Sequence, residues 1–229
     1  MKTFRVLSAV LMYPEVELQE AIPELKAVLE EERLLKPAEL QAVGLLLDRL
    51  ETGGLLDLQE EYVLLFDRTR SLSLHLFEHV HGQSRDRGQA MVDLRQQYLE
   101  TGVDMVSSEL PDFLPMFLEY LSMLPVKQAR KQLNLCLPII AAIRERLRKR
   151  GSAYSAAFGA LTGIAGGKPD PEVLHTLLSL AEDNPEDMSA VDQAWEESPV
   201  SFRPDFLVPE TSGTTEIPIR VMPRQPSNS

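Results

Sequence analysis

The chain has 229 residues and a formal net charge of -12, since 23 lysines and arginines stand against 35 aspartates and glutamates. Hydrophobic residues make up 44% and charged residues 25%, values that indicate a folded protein with a substantial core and exclude a wholly disordered chain. The negative charge argues against nucleic acid as a partner and favours a basic peptide or protein segment, which such a surface attracts.

Helical periodicity dominates the first part of the chain. A short helix is predicted over the apolar residues 6–12 and ends at Tyr13-Pro14. Another begins at Pro37 and ends before Gly53-Gly54, because proline suits the first position of a helix and glycine its end. The apolar stripes predicted to face the core here are Leu40, Val43, Leu47 and Leu50, followed by Leu58, Tyr62, Leu65 and Phe66.

Three more helical regions follow. Ser84 is predicted to cap a helix that runs through Thr101 and stops at Gly102. Residues 127–150 form a long helix that Pro138 should kink or split, and its basic end fits the negative end of a helix dipole. Asp170-Pro171 starts a further helix. The core faces predicted in this part of the chain are Ala90, Leu94 and Tyr98, then Phe113, Phe117, Tyr120, Leu121 and Leu124, then Leu174, Leu177, Leu178 and Ala181.

The last part of the chain changes character. A short acidic helix is predicted after Pro185, and beyond residue 197 prolines are scattered among Ser, Thr, Arg and Glu. We therefore predict an all-α protein, in which residues 1–197 form a single compact helical bundle and residues 198–229 a disordered, Pro-rich C-terminal tail. No repeat of fixed period is visible, which disfavours a helical solenoid.

The cellular compartment is predicted from two features. The single cysteine, Cys136, has no internal disulfide partner, which fits a reducing compartment, and it lies in a helix that looks buried. No apolar run approaches the roughly 18 residues that cross a bilayer, and the N-terminal apolar stretch lacks a signal-peptide cleavage site. We expect a cytoplasmic protein without stable membrane insertion.

A metal-site motif offers one candidate chemistry. His75-x-x-Glu78-His79 has the H-x-x-E-H spacing of inverted zinc peptidases, which on a helix places two imidazoles and a carboxylate on one side. A zinc-dependent hydrolase is therefore an alternative function. The motif has three defined positions and no identified third ligand, and His81 falls on a different helical face. The other reading is that these histidines are polar groups at a helix end or groove.

The segment from Glu78 to Gly88 is unusually dense in charge for a connection between apolar helices. It reads Glu-His-Val-His-Gly-Gln-Ser-Arg-Asp-Arg-Gly. Charges gathered in a groove pair with one another, and such networks fix geometry or recognise a ligand. The alternative is a plain loop stapled by Arg–carboxylate pairs.

The same region carries a family resemblance. Tyr62-Val-Leu-Leu-Phe66-Asp-Arg, Leu76-Phe-Glu-His-Val-His-Gly82, the run from Ser84 to Leu94 and Glu109-Leu-Pro-Asp112 resemble the delta-subunit chaperones of respiratory nitrate reductase. These molybdenum cofactor assembly chaperones belong to the wider group of redox-enzyme maturation proteins. The likeness covers residues 7–147, including Leu11-Met-Tyr-Pro14, and fades in the acidic C-terminal part.

The resemblance implies a helical-bundle chaperone that is not an enzyme and needs no cofactor of its own. Its client would be the apo catalytic (alpha) subunit of respiratory nitrate reductase, bound through a basic N-terminal segment and kept competent for molybdenum cofactor insertion. Docking on the membrane subunit would be delayed meanwhile, and the chaperone would leave the finished enzyme. Molybdenum cofactor delivery proteins are further candidate partners.

A client-binding groove is predicted from the matching positions, since an amphipathic basic helix would place apolar anchors between helices and its cations against rim carboxylates. For Tyr62 and Phe66, plain core packing is the other reading. Phe113 stands where the wider family often has histidine, so a proton-donor role does not carry over there, while an apolar contact remains open. The predicted client-binding residues are Tyr62, Phe66, Phe77, Glu78, His79, His81, Arg85, Asp86, Arg87, Glu109, Pro111 and Asp112.

Overall fold

The protein is an all-α bundle, as the sequence predicts. The computed structural model describes residues 1–80, 85–102 and 109–180. Within these ranges the β structure consists of one isolated antiparallel bridge between His75 and Phe113. The helices are α1 (Lys2–Val10), α2 (Val16–Glu32), α3 (Pro37–Thr52), α4 (Leu55–Tyr62), α5 (Arg85–Glu100), α6 (Leu114–Met123), α7 (Val126–Leu135), α8 (Leu137–Lys149), α9 (Ser155–Ala165) and α10 (Pro171–Ser179).

The helix boundaries follow local capping chemistry. Pro37 occupies the first turn of α3, and the side chain of Glu39 accepts a hydrogen bond from the Lys36 backbone N–H at 2.9 Å. The Asp170 carboxylate caps α10 by accepting from two backbone N–H groups at 2.9 and 3.2 Å. Gly166 ends α9 with a φ of 68°, a left-handed conformation that glycine adopts without a steric penalty. The predicted starts of α3 and α10 are therefore confirmed.

The predicted break near Pro138 is also confirmed. The chain forms two helices, α7 and α8, with Cys136 at the junction between them and Pro138 in the first turn of the second. Cys136 is fully buried, and this burial raises the pKa of its thiol to about 12. It is a structural thiol, because burial disfavours the thiolate form that would react.

One continuous core holds the bundle together. Helix α1 packs between α2 and α6, α9 packs between α3 and α8, and α10 lies on α8. The predicted stripes of α3 and α5 face this core, in which Val43, Leu47, Leu94 and Tyr98 are buried. No helix in the part of the chain described is both long and apolar enough to cross a membrane.

The basic end of α8 differs from the prediction at one residue. Arg148 pairs with Glu145 at the surface, at 2.7 Å, as expected for a solvated helix end. Arg146, in contrast, is only 1% exposed and donates hydrogen bonds to the backbone carbonyls of Ser71 at 2.9 Å and Leu177 at 2.6 Å. A residue expected to balance a helix dipole therefore joins α8 to α10 and to the turn at residues 70–72.

Some predictions fall on residues whose structure is not described. These are the Ser84 cap, the core position Ala181, the acidic helix after Pro185, the domain boundary at residue 197 and the tail over residues 198–229. They stay predictions.

Candidate functional site

The candidate site lies in residues 63–80, which follow α4 and contact the start of α6. We call these residues the crossing segment. Helix α4 runs directly into a π-helical turn, Val63–Asp67, and two 3-10 turns follow at Arg70–Leu72 and Leu76–His79. π-helical turns of this kind interrupt regular helices and are frequent at functional sites. The bridge between His75 and Phe113 ties the second 3-10 turn to the start of α6, and the Leu114 N–H donates to the Leu74 carbonyl at 2.8 Å.

Asp112 organises this crossing. Its carboxylate is completely buried and accepts hydrogen bonds from the Phe77 backbone N–H at 3.0 Å and from His75 Nδ1 at 3.2 Å. Its own carbonyl accepts from the Leu76 N–H at 3.0 Å. A buried carboxylate needs donors to offset its lost hydration, and here the Phe77 N–H and the His75 ring supply two. We call Asp112 and these three partners the Asp112 clamp.

Arg87 adds a charge contact from α5. Its guanidinium lies 3.5 Å from the Glu78 carboxylate and 4.0 Å from that of Asp112, with all three side chains mostly or fully buried. Beside it, the Tyr98 hydroxyl donates to the Pro111 carbonyl at 2.7 Å. The polar segment is therefore stapled by an Arg–carboxylate pair, which is one of the two readings that the sequence leaves open.

The pKa values of the two histidines in the H-x-x-E-H motif are shifted in opposite directions. Burial of the His75 ring disfavours its charged form, but the hydrogen bond to Asp112 and that residue's negative charge outweigh the penalty, so the pKa of His75 is raised. Burial lowers the pKa of His79, and the nearby Arg146 cation lowers it further, against the opposing effect of a hydrogen bond between His79 Nε2 and the Ser73 carbonyl at 2.8 Å.

This geometry does not support the zinc-hydrolase alternative. The expectation that His75 and His79 lie on one side of a helix is wrong, because His75 sits in the β-bridge and His79 ends a short 3-10 turn. Each ring already has another partner, Asp112 for one and Ser73 for the other. Over residues 1–80, 85–102 and 109–180, no group of three or more His, Cys, Asp and Glu side chains is arranged to hold a metal ion.

The aromatic candidates are core residues in this structure. Tyr62 and Phe66 are 3% and 4% exposed and lie inside the core, whereas Phe77, although only 2% exposed, lines a small pocket together with residues of α5, α6 and α7. The Tyr62 ring packs 5.0 Å from that of Phe66, and its hydroxyl donates to the Leu11 carbonyl at 3.0 Å. Tyr62 and Phe66 therefore pack in the core, the other reading that the sequence allowed for these two rings, since their large apolar surfaces gain more from burial than from exposure. Client contact by the three rings stays a prediction.

An acidic pair that the sequence analysis did not combine lies close to these rings. Burial raises the pKa of the Asp67 carboxyl, the negative charge of Glu109 raises it further, and the His75 ring opposes both. The same two acids act on Tyr62, whose pKa is raised first by burial. Glu109 and Asp67 are both exposed. Two exposed carboxylates therefore lie near each other and near the buried Tyr62 ring.

Residues 15–160 match the model of the nitrate reductase delta subunit family. The chain belongs to this family. Its relatives include the nitrate reductase molybdenum cofactor assembly chaperone NarJ of Escherichia coli (strain K12), which is 40% identical over 202 residues, 87% of this chain and 84% of the relative. The probable nitrate reductase molybdenum cofactor assembly chaperone NarW of the same strain is 44% identical over 156 residues, 68% and 67% of the two chains. A probable chaperone NarJ of Bacillus subtilis (strain 168) is 28% identical over 183 residues, 79% and 88%.

The Glu-Leu-Pro-Asp stretch, residues 109–112, has an exposed part and a buried part. Glu109 is exposed, whereas Pro111 and Asp112 are buried and hold the crossing segment in place. Phe113 is half-buried, and its ring centre lies 5.3 Å from that of His75. The ring stacks on the clamp, so an aromatic residue suits this position without a proton to donate.

The remaining predicted residues divide into two groups. Glu78 and Arg87 lie together at the Asp112 clamp, and His79 lies at the far end of the same turn. His81 and the side chains of Arg85 and Asp86 lie outside the described residues. Sequence reasoning missed Tyr13, whose ring packs edge-on at 5.5 Å against Tyr62 and is 42% exposed, although its place before Pro14 at the end of α1 was visible.

Proposed function

We propose that this chain is an assembly chaperone for respiratory nitrate reductase. The single observation that carries the proposal is its 40% identity, over 84% of the relative's length, to a protein named as a nitrate reductase molybdenum cofactor assembly chaperone. In this role it binds the apo catalytic subunit in the cytoplasm, holds it competent for cofactor insertion and delays its docking on the membrane subunit. It performs no catalysis itself and is absent from the finished reductase.

The proposed contact is a basic N-terminal segment of the catalytic subunit. A net charge of -12 attracts such a segment over distances of about a Debye length, roughly 10 Å at 0.1 M salt. The attraction also rejects acidic competitors, so it contributes to specificity as well as to the rate of encounter. Molybdenum cofactor delivery proteins are proposed to bind the complex of this chain with the catalytic subunit.

We propose different roles for the buried and the outer acids of this region. Asp112 is buried and already accepts hydrogen bonds from Phe77 and His75, so we assign it to positioning the crossing segment. Glu109 and Glu78 lie further out, and both are candidate partners for client cations. Together with Asp67, these two glutamates form what we call the acidic rim. Client contact by Tyr62 and Phe66 then requires the bundle to open around the π-helical turn, whereas Phe77 already lines a small pocket.

Titration calorimetry with a synthetic peptide of the catalytic subunit's N-terminus tests this proposal. We expect Glu109→Lys combined with Glu78→Lys to weaken binding about tenfold, or about 1.4 kcal/mol, because two attractive contacts become repulsive. Added salt should also weaken wild-type binding. Glu24→Lys combined with Glu30→Lys, at two exposed positions of α2, makes the same charge change away from the crossing segment and should have a small effect.

Two outcomes contradict different parts of the proposal. If the wild-type chain does not bind the peptide, the chaperone assignment fails. If the wild-type chain binds but the paired variant binds equally well, the acidic rim is misplaced while the function stands. Circular dichroism of the variants checks that they fold, which matters because Glu78 also pairs with Arg87.

A further inference from the structure

Four large apolar side chains are exposed where the end of α1 and the start of α2 meet α4. They are Met12, Tyr13, Val16 and Leu56, and each is between 42% and 79% exposed. Single exposed apolar residues are ordinary on a protein surface, whereas several gathered in one place indicate a binding surface. We call these four residues the apolar patch.

Three side-chain hydrogen bonds bring the members of the apolar patch together. They run from the Tyr62 hydroxyl to the Leu11 carbonyl at 3.0 Å, from the Gln59 amide to the Pro14 carbonyl at 2.8 Å, and from the Gln19 amide to the Gly53 carbonyl at 3.0 Å. The chain after α1 therefore runs antiparallel to α4. Val16 lies between the second and third bonds, opposite the first turn of α4, which contains Leu56. Tyr13 lies between the first and second, and its ring packs edge-on against Tyr62 at 5.5 Å.

Acidic side chains surround the apolar patch. Residues 6–25 and 50–67, which contain it, include no lysine or arginine. Glu15 and Glu17 lie at the start of α2, and Glu60 lies one helical turn from the α4 member of the patch. All three carboxylates are exposed, and within the described residues none of them forms an ion pair. The edge of the patch therefore attracts the cations of a partner.

The apolar patch also continues into the acidic rim. Burial raises the pKa of Tyr62, the ring that Tyr13 covers, and the negative charges of Asp67 and Glu109 raise it further, so these two acids lie near the patch. The stretch of α4 and the π-helical turn from Leu56 to Asp67 is roughly 16 Å long, at about 1.5 Å per residue. A helix of about eleven residues has the same length. The patch and the rim together therefore match one short helix with an apolar face and a basic face.

We propose that the apolar patch is the surface on which the bundle, without opening, binds the apolar face of a basic amphipathic helix. The helix lies along α4 and directs its lysines and arginines toward Glu15, Glu60 and the acidic rim. This inference rests on the proposed function, because it takes the client's N-terminal segment to be that helix. Anionic lipid headgroups and a second copy of this chain, with its charge of -12, are both repelled by the same carboxylates.

A cysteine footprint tests where the helix binds. The chain's own Cys136 is fully buried, so Leu56→Cys adds one accessible thiol to the full-length protein. Its labelling rate with a thiol reagent is measured with and without the synthetic peptide of the catalytic subunit's N-terminus. At a peptide concentration about ten times the Kd found by calorimetry, we expect labelling to slow about tenfold, because only the unbound fraction reacts.

Leu45→Cys is the matched control for the footprint. Leu45 is 64% exposed on α3 and lies one turn before Arg49, which pairs with Glu61 on the other side of α4. Its labelling rate should not change when the peptide is added.

The affinity of the peptide provides a second measurement. Leu56→Gln combined with Val16→Gln should weaken binding about tenfold, because two apolar contacts are lost. Leu45→Gln combined with Met123→Gln removes two equally exposed apolar side chains elsewhere, since Met123 contacts Arg5 near the other end of α1. This control pair should bind as wild type does. All four positions are exposed, and circular dichroism checks that both variants fold.

The outcomes separate this inference from the proposed function. If the wild-type chain does not bind the peptide, the proposed function fails and the inference fails with it. If the wild-type chain binds but the peptide leaves the labelling of Leu56→Cys unchanged, the helix lies elsewhere and only the inference fails. Equal slowing in Leu45→Cys, or equal weakening by the two glutamine pairs, would also overturn it, because the effect would then not be specific to the apolar patch.

Discussion

Asp112 and the two histidines of the crossing segment show how much a few buried polar groups determine at the residue scale. The carboxylate, fully buried, fixes the backbone of the 3-10 turn and also holds His75 in a position that favours its protonated form. His79, a few residues further, is held in its neutral form by burial and by Arg146. The pKa values of two imidazoles within one motif are therefore shifted in opposite directions.

His79 makes the stability of the protein sensitive to acid. Its pKa is lower in the folded chain than the ordinary value of 6.5, so below that value the unfolded chain binds the proton first and unfolding is favoured. We expect the free energy of unfolding, measured by urea denaturation from about pH 7.5 to about pH 5.5, to fall more steeply in wild type than in His79→Gln. His175→Gln, at an exposed position on α10, is the control. Parallel curves for wild type and His79→Gln would contradict this account.

Helix α10 depends on α8 at the scale of whole elements. It is only 9 residues long, which is too short to be stable alone, so its docking must supply most of its stability. The Asp170 cap secures its start, and Arg146 secures its end through the Leu177 carbonyl. One guanidinium bonded to carbonyls of two separate elements therefore sets the position from which the rest of the chain departs.

Replacing Arg146 with methionine should detach this end of α10. The change leaves the buried carbonyls of Ser71 and Leu177 without that donor, at about 1–3 kcal/mol each, so we expect a loss of about 2–4 kcal/mol in the free energy of unfolding. Hydrogen exchange should accelerate more in α10 than in α2. Arg144→Met, on the exposed side of the same helix, should cost less than about 1 kcal/mol. An equal loss in both variants would remove the special role of Arg146.

The whole molecule is held by one core, and its single cysteine reports on that core. Cys136 is fully buried at the junction of α7 and α8, and burial raises the pKa of its thiol to about 12, so neither access nor thiolate formation favours reaction in the folded state. We expect a thiol reagent to leave the native protein unlabelled and to label one thiol per chain in concentrated guanidinium chloride. Rapid labelling of the native chain would show that the core opens locally at this junction.

The local pattern of the sequence determined the helices and the general class of the protein. The caps at Pro37 and Asp170, the stop at Gly166 and the break before Pro138 depend on the conformational preferences of single residues and their immediate neighbours. Such preferences act within a few positions, so they are readable without knowing which helix packs on which. The family resemblance is likewise a property of the ordered residue pattern, and the match over residues 15–160 confirms it.

Only the tertiary structure decided how the candidate site is assembled. His75 and Asp112 are 37 residues apart, and Arg146 and Ser71 are 75 apart, so no local rule pairs them. Periodicity shows that Tyr62 and Phe66 share a face, but it does not distinguish a groove wall from the core, because both are apolar. The physical reason is that burial and partner choice follow from the packing of distant segments, which minimises exposed apolar surface and unsatisfied polar groups over the whole chain at once.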